Sequence, residues 1–284
     1  MKLGVLLVAY GSANFRGTAT LRAVQLAAEK RFGLPVRWAF TSETMRQRLA
    51  VSKTKSDSVF KALARMSFER YTHVAVQSLH IIPGSEFEAV ASDCRMAAES
   101  NNMRIELGRP LLADIAGNAP SAIEITSRLL VQHIPDARKS DEPVIYMAHG
   151  SQSRCAVLYR RLDEAVRKLD PKIFVAPMLQ IMPSSAVQVT SDSIKDGLHY
   201  LLPELESMAC RQIIWLLPLL SLVGKHTLTD MAGTSRYAWK QRIESAGFQC
   251  KAELRSLADD QNFIALWFNR LEDALNRLVS SCRT

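Results

Sequence analysis

Near-continuous apolar runs alternate with amphipathic stretches along this chain. The first run spans residues 3 to 9, as expected for a parallel strand covered on both faces. Leu21, Val24, Ala28 and Phe32 then recur at helical spacing, and Gly33 and Pro35 supply the stop. The pattern predicts a strand over 36–40, a polar helix over 56–68, a strand over 73–79, a helix over 86–98, a short strand over 105–107 and a helix over 118–134. The segment 135–143 is polar, charged and bounded by Pro135 and Pro143, and it reads as a domain linker. The second half repeats the plan. It has strands over 144–148, 173–179 and 213–220, helices over 156–169, 193–208 and 228–246, and a short strand over 250–254. A last helix has Asp259 as its expected N-cap and a stripe of Ile264, Trp267, Phe268, Leu271, Leu275 and Leu278. The face around Trp267 and Phe268 could serve the core or a second copy of the chain, so a homo-oligomer stays open.

This alternation implies parallel sheets flanked by helices, an α/β protein of two similar Rossmann-like domains, 1–138 and 139–284. Short internal matches support a duplication. Val8-Ala9-Tyr10-Gly11-Ser12 and Met147-Ala148-His149-Gly150-Ser151 each end an apolar run in a Gly-Ser turn. Leu79-His80-Ile81-Ile82-Pro83-Gly84 sits where Leu220-Ser221-Leu222-Val223-Gly224-Lys225-His226 sits in the second half. Ligands of open α/β sheets bind beyond the carboxyl ends of strands. Tyr10, His80, His149, Gln180 and His226 all fall at or just past such ends. A cleft between the halves is therefore the expected site.

Composition narrows the classes. With 284 residues, 48% hydrophobic, the chain can build a large core. No apolar run is long enough to span a bilayer, and the short N-terminal run leads into a Gly-Ser turn, so a cytoplasmic protein is expected. Five scattered cysteines without a CxxC pair exclude a disulfide framework and a Cys-based metal site. The net charge of +8 points to an anionic partner. Lys and Arg are spread rather than clustered and no nucleic-acid motif is present, so a small polyanion fits at least as well. GxGxxG, GxxxxGK[ST], GxSxG and HExxH are all absent, which removes local support for nucleotide chemistry and zincin-type hydrolysis.

Histidine carries the candidate chemistry, because neutral imidazole binds first-row divalent metals and passes protons near neutrality. His149 is either a cleft residue or a helix-capping histidine. His226 has Asp230 four residues on, close enough in a helical turn to orient the imidazole. Glu86 and Glu88, behind His80, suit the first turn of a helix through its dipole. A place at the cleft rim is the other reading for His80 and Glu86. Gln180 cannot ionise, though its carbonyl oxygen can ligate weakly.

Four segments together resemble a known family. They are Leu6-Leu7-Val8-Ala9-Tyr10-Gly11-Ser12, Ser78-Leu79-His80-Ile81-Ile82-Pro83-Gly84-Ser85-Glu86-Phe87-Glu88, Met147-Ala148-His149-Gly150 and Gly224-Lys225-His226-Thr227-Leu228-Thr229-Asp230-Met231-Ala232-Gly233. The chain resembles the anaerobic-type sirohydrochlorin cobaltochelatases, which group with ferrochelatases as ATP-independent class II chelatases. The resemblance implies a chelatase-like fold with a tetrapyrrole in the cleft, and insertion of a divalent metal in the cobalamin pathway. Co2+ is the expected metal substrate, with Ni2+ and Fe2+ as alternatives, and no nucleotide takes part. It implies that His149 and His226 are the catalytic, metal-coordinating pair, and that Tyr10, Ser12, His80, Glu86 and Gln180 serve substrate binding. The family's third member is a glutamate, and here its place holds Gln180-Ile181-Met182-Pro183, without the negative charge that would attract metal or accept a proton. The implied partner is a tetrapyrrole small molecule, with no nucleic acid and no membrane. A non-catalytic tetrapyrrole or haem binder on the same scaffold is the competing reading.

Overall fold

The computed structural model describes residues 1–51, 56–113, 121–179, 196–208 and 213–280. The chain divides into two compact units, Met1–Ala113 with Ala258–Thr284, and Asp114–Leu257. In the first, β1 (Leu3–Ala9), β2 (Val36–Phe40), β3 (His73–Ser78) and β4 (Arg104–Gly108) form one sheet in the order β2-β1-β3-β4. In the second, β5 (Val144–Gly150), β6 (Ile173–Leu179), β7 (Ile213–Leu219) and β8 (Gln249–Ala252) repeat that order as β6-β5-β7-β8. All six pairings are parallel. The inner strands are buried on both faces, with Val5 to Val8 and Val144 to Ala148 at 0% exposure. Apolar runs rather than alternation follow from that position.

The first unit carries α1 (Phe15–Phe32), α2 (Glu43–Val51), α3 (Val59–Phe68) and α4 (Ser85–Asn101). The second carries α5 (Ala122–Gln132), α6 (Val157–Leu169), α7 (Gly197–Ser207) and α8 (Trp239–Ser245). The last helix, α9 (Gln261–Ser280), belongs to the first unit. Local chemistry sets the ends. Asn14 Oδ1 accepts from Gly17 N at 2.9 Å to start α1, and Gly33, left-handed at φ 63°, closes it. Ser121 and Glu124 make a reciprocal capping box on α5. Among the described residues no helix is long and apolar enough to cross a membrane.

The strand order sets the reactive edge. In each sheet the first strand has its successor on one side and the third strand on the other. The chain therefore leaves those two neighbours in opposite directions, a topological switch point. The carboxyl ends of β1 and β3 open one such crevice, and those of β5 and β7 the other.

Several expectations shift. The boundary expected at 138/139 is not where the units divide. Residues 135–143 lie inside the second unit, where Arg138 pairs with Asp170 at 2.7 Å and Glu142 accepts from Trp215 Nε1 at 2.6 Å. Helix α5 also belongs there, since the Tyr146 hydroxyl donates to the Leu130 carbonyl at 2.6 Å. Helix α9 returns to the first unit and packs on β3 and β4 through Phe263, Trp267, Leu271 and Ala274, all fully buried. Arg270 fixes the return by donating to the carbonyls of Leu111 (2.5 Å) and Ala113 (2.9 Å). Trp267 and Phe268 are thus core residues of that unit. Asp259 does not cap α9. Its carboxylate takes the Thr20 hydroxyl at 2.5 Å, and Asp260 accepts from Asn262 N at 2.8 Å instead. The single helix expected over 228–246 is a π-helical turn (His226–Met231), a loop and the short α8. Helix α2 was not foreseen, because its apolar face is only Met45 and Leu49.

Candidate functional site

Both copies of the repeat turn their chain with the same device. Gly11 and Gly150 have φ of 108° and 85°, values that glycine adopts without strain. The serine after each glycine holds the turn two residues on. Ser12 Oγ accepts from Asn14 Nδ2 at 2.9 Å, and Ser151 Oγ bonds Ser153 Oγ at 2.9 Å. Ser12 is 1% exposed, so it sits inside the turn rather than on its surface. Preceding each glycine is the residue delivered to the crevice, Tyr10 in the first sheet and His149 in the second.

In the second sheet, His149 meets His226. Their ring centroids lie 4.8 Å apart with planes at 70°. A metal ion bound at about 2.1 Å by two imidazole nitrogens sets ring centres roughly 5 Å apart, so the spacing fits two ligands on one ion. His226 stands at the start of the π-helical turn, in which Ala232 N bonds back five residues to the Thr227 carbonyl at 3.2 Å. Such turns are frequent at functional sites. Here the turn brings Asp230 Oδ2 to 2.6 Å from His226 Nδ1. A carboxylate only accepts, so Nδ1 carries a proton, and in the neutral ring Nε2 keeps its lone pair for a metal. Gly233 closes the turn, and a Cβ there would stand 2.2 Å from the Thr229 carbonyl oxygen. His149 Nδ1 lies 3.3 Å from its neighbour Gly150's carbonyl oxygen. Both histidines are half-buried, and the His226 side chain is 33% exposed, so solvent ions can reach it.

In the first sheet, Tyr10 is 42% exposed at the end of β1. His80, two residues past β3, is engaged through both ring nitrogens: Nδ1 by the Ser78 hydroxyl and Nε2 by Glu86 Oε2 at 3.1 Å. Glu86 lies in the first turn of α4 and is exposed. The Ser78–His80–Glu86 chain was not expected as a unit, since nothing in the spacing distinguishes Ser78 from other buried strand residues. Gln180 lies outside the described residues. Among the described residues no group of three or more His, Cys, Asp or Glu is placed to hold one metal ion. The pair His149 and His226, with Asp230 behind it, is what the structure assembles.

Known proteins of one family resemble this chain along nearly its whole length. A family model described as Cobalt chelatase (CbiK) matches residues 3–276. Sirohydrochlorin cobaltochelatase CbiKC of Nitratidesulfovibrio vulgaris is 40% identical over 279 residues, 98% of this chain and 92% of that protein. Sirohydrochlorin cobaltochelatase of Salmonella typhimurium is 27% identical over 290 residues, 98% of each chain. Among solved structures, SirB from Bacillus subtilis with Fe3+ superposes with a TM-score of 0.65 at 14% identity, covering 96% of each chain. A cobalt complex of the SirB sirohydrochlorin chelatase from the subspecies spizizenii gives 0.60 at 13% identity, covering 97% of each. At these identities the two structures speak for the fold, two Rossmann-like α/β halves.

Proposed function

The chain belongs to the cobalt chelatase (CbiK) family, and from that premise we propose that it inserts Co2+ into sirohydrochlorin without a nucleotide. The observation that carries this reading is the imidazole pair His149 and His226, 4.8 Å between centroids at the switch point of the second sheet. A divalent ion docks on the two Nε2 atoms. Asp230 holds the His226 proton on Nδ1 and raises the basicity of the ligating nitrogen. The macrocycle then presents its pyrrole nitrogens to the ion. Two imidazole bonds are exchanged for four pyrrole bonds, which makes the transfer downhill without ATP. The two pyrrole protons leave through a histidine as its metal bond breaks, because the freed nitrogen has its lone pair back.

Ni2+ and Fe2+ suit the same ligands, since imidazole affinity alone does not select among them. Tyr10, His80 and Glu86, with Gln180, are assigned to ring binding, whereas Ser12, buried in its turn and bonded to Asn14, holds the loop that presents Tyr10. His80, with both nitrogens engaged, serves there as a fixed polar group rather than a ligand. Gln180 supplies a neutral oxygen where a carboxylate would add charge.

The test is a visible-absorption assay of ring metallation with Co2+, Ni2+ and Fe2+. The His149→Ala/His226→Ala double variant should fall to the uncatalysed rate with an unchanged circular dichroism spectrum. Gln180→Glu should metallate faster. A double variant that inserts Co2+ at the wild-type rate overturns the proposal.

A further inference from the structure

We propose that Arg154, Lys225 and Arg236 bind the peripheral carboxylates of the anionic ring substrate. The proposal deepens the chelatase reading and rests on it. Sirohydrochlorin is rich in carboxylates, so its binding requires cations that are not already neutralised.

Several arginines of the second unit are already paired with carboxylates. Arg138 pairs with Asp170, Arg167 with Asp163 and Glu204, and Arg242 with Asp196. Three exposed cations on the loops that carry the histidine pair make no such pairing among the described residues. Arg154 begins a short 3-10 turn (Arg154–Ala156) five residues past His149. Lys225 immediately precedes His226 and caps the π-helical turn. Arg236 follows that turn on the loop to α8. In the first sheet, the chain after β3 instead presents Glu86 and Glu88, exposed in the first turn of α4.

Arg236 is the best prepared of the three. Its guanidinium stacks 4.8 Å from the exposed Tyr237 ring and donates to the Tyr237 hydroxyl at 2.6 Å. Beneath it the backbone is pinned. Ala238 N donates to the Ser235 carbonyl at 2.8 Å, and buried Trp239 donates from Nε1 to Asp196 at 2.8 Å. An exposed guanidinium held on a rigid base, with no carboxylate partner, loses little freedom when it takes one bidentately. Lys225 and Arg154 add charge that draws an anion toward the same edge.

Metallation kinetics of the full-length protein with sirohydrochlorin and Co2+, varied separately, provide the test. Arg236→Glu should raise the ring KM about tenfold or more, and leave the Co2+ KM where it was. Arg236→Lys should recover only part of the loss, because an ammonium cannot bind bidentately. The triple variant Arg154→Gln/Lys225→Gln/Arg236→Gln should also flatten the dependence of ring KM on salt. Arg161→Gln, an exposed arginine on α6, should change neither constant. A wild-type enzyme that turns over beside a triple variant with unchanged ring KM overturns this assignment alone. A wild type that neither binds nor metallates the ring overturns both it and the chelatase reading.

Discussion

At the switch point of the first sheet stands Tyr10. At the matching place in the second stands His149. The backbone beneath them is the same: a buried parallel strand, a glycine at positive φ and a serine that bonds two residues on. The chemistry beyond the third strand differs more. His80 follows β3 directly and is tied to Ser78 and Glu86 through both nitrogens. His226 comes later, on a π-helical turn, and keeps one nitrogen for a ligand because Asp230 takes the other. One scaffold thus yields a polar but self-satisfied crevice and a crevice with two imidazoles on one point. Topology sets where a site can be, and a few side chains decide whether it holds a metal.

The sharpest way to break the comparison is His149→Tyr, which gives the second switch point the residue of the first. Removing one of two imidazole ligands should lower the rate of cobalt insertion on the order of 10³-fold, measured by ring absorbance, while Tyr10→Phe costs at most a few-fold. Next in size is Asp230→Asn. The amide no longer fixes the Nδ1–H tautomer of His226, and Co2+ affinity by calorimetry should fall about 10–100-fold. Equal affinity in that variant would show that the histidine pair needs no orienting carboxylate.

The turn device itself can be tested through stability. At Gly11 a Cβ would be strained at φ 108° and would stand 2.9 Å from Met45 Cγ. Gly11→Ala should cost about 1–3 kcal/mol in denaturant unfolding. Gly33→Ala, at φ 63° with open space around it, should cost only the backbone strain, about 1–2 kcal/mol.

The smallest effect concerns acid. Burial pushes the Glu142 carboxyl up. The bonds it accepts from Trp215 Nε1 and Lys139 N, with the Lys251 and Lys139 charges, outweigh burial and hold it below the usual range. A depressed carboxyl stabilises the fold above its unfolded pKa, near 4.3, and that contribution is lost as pH falls through the lower folded value. The stability difference between wild type and Glu142→Gln should therefore be largest near neutrality and shrink below about pH 4. A pH-independent difference would mean the Glu142 charge contributes nothing.

The apolar runs and helical stripes were enough to read two α/β halves, and His149 and His226 stood out because strand ends are where such sheets bind ligands. Asp230 was legible as well, since a residue four positions from a histidine faces it in either an α or a π turn. The π geometry itself was hidden, because helical spacing cannot separate a tight turn from a wide one. Ser78 was hidden for another reason. A serine in a buried strand signals nothing until the turn after β3 places the backbone and ring of His80 against its hydroxyl.

By itself the sequence determined the duplicated strand–helix order, the glycine turns and the histidines at the second reactive edge, because these depend on local periodicity and on residues close in the chain. Only the tertiary structure decided that α9 returns across the chain to pack on β3 and β4, that α5 joins the second unit, and that two imidazoles 77 positions apart stand 4.8 Å from each other. Those outcomes come from apolar surfaces finding partners far away in sequence. Burial is non-directional, so no local pattern names the partner.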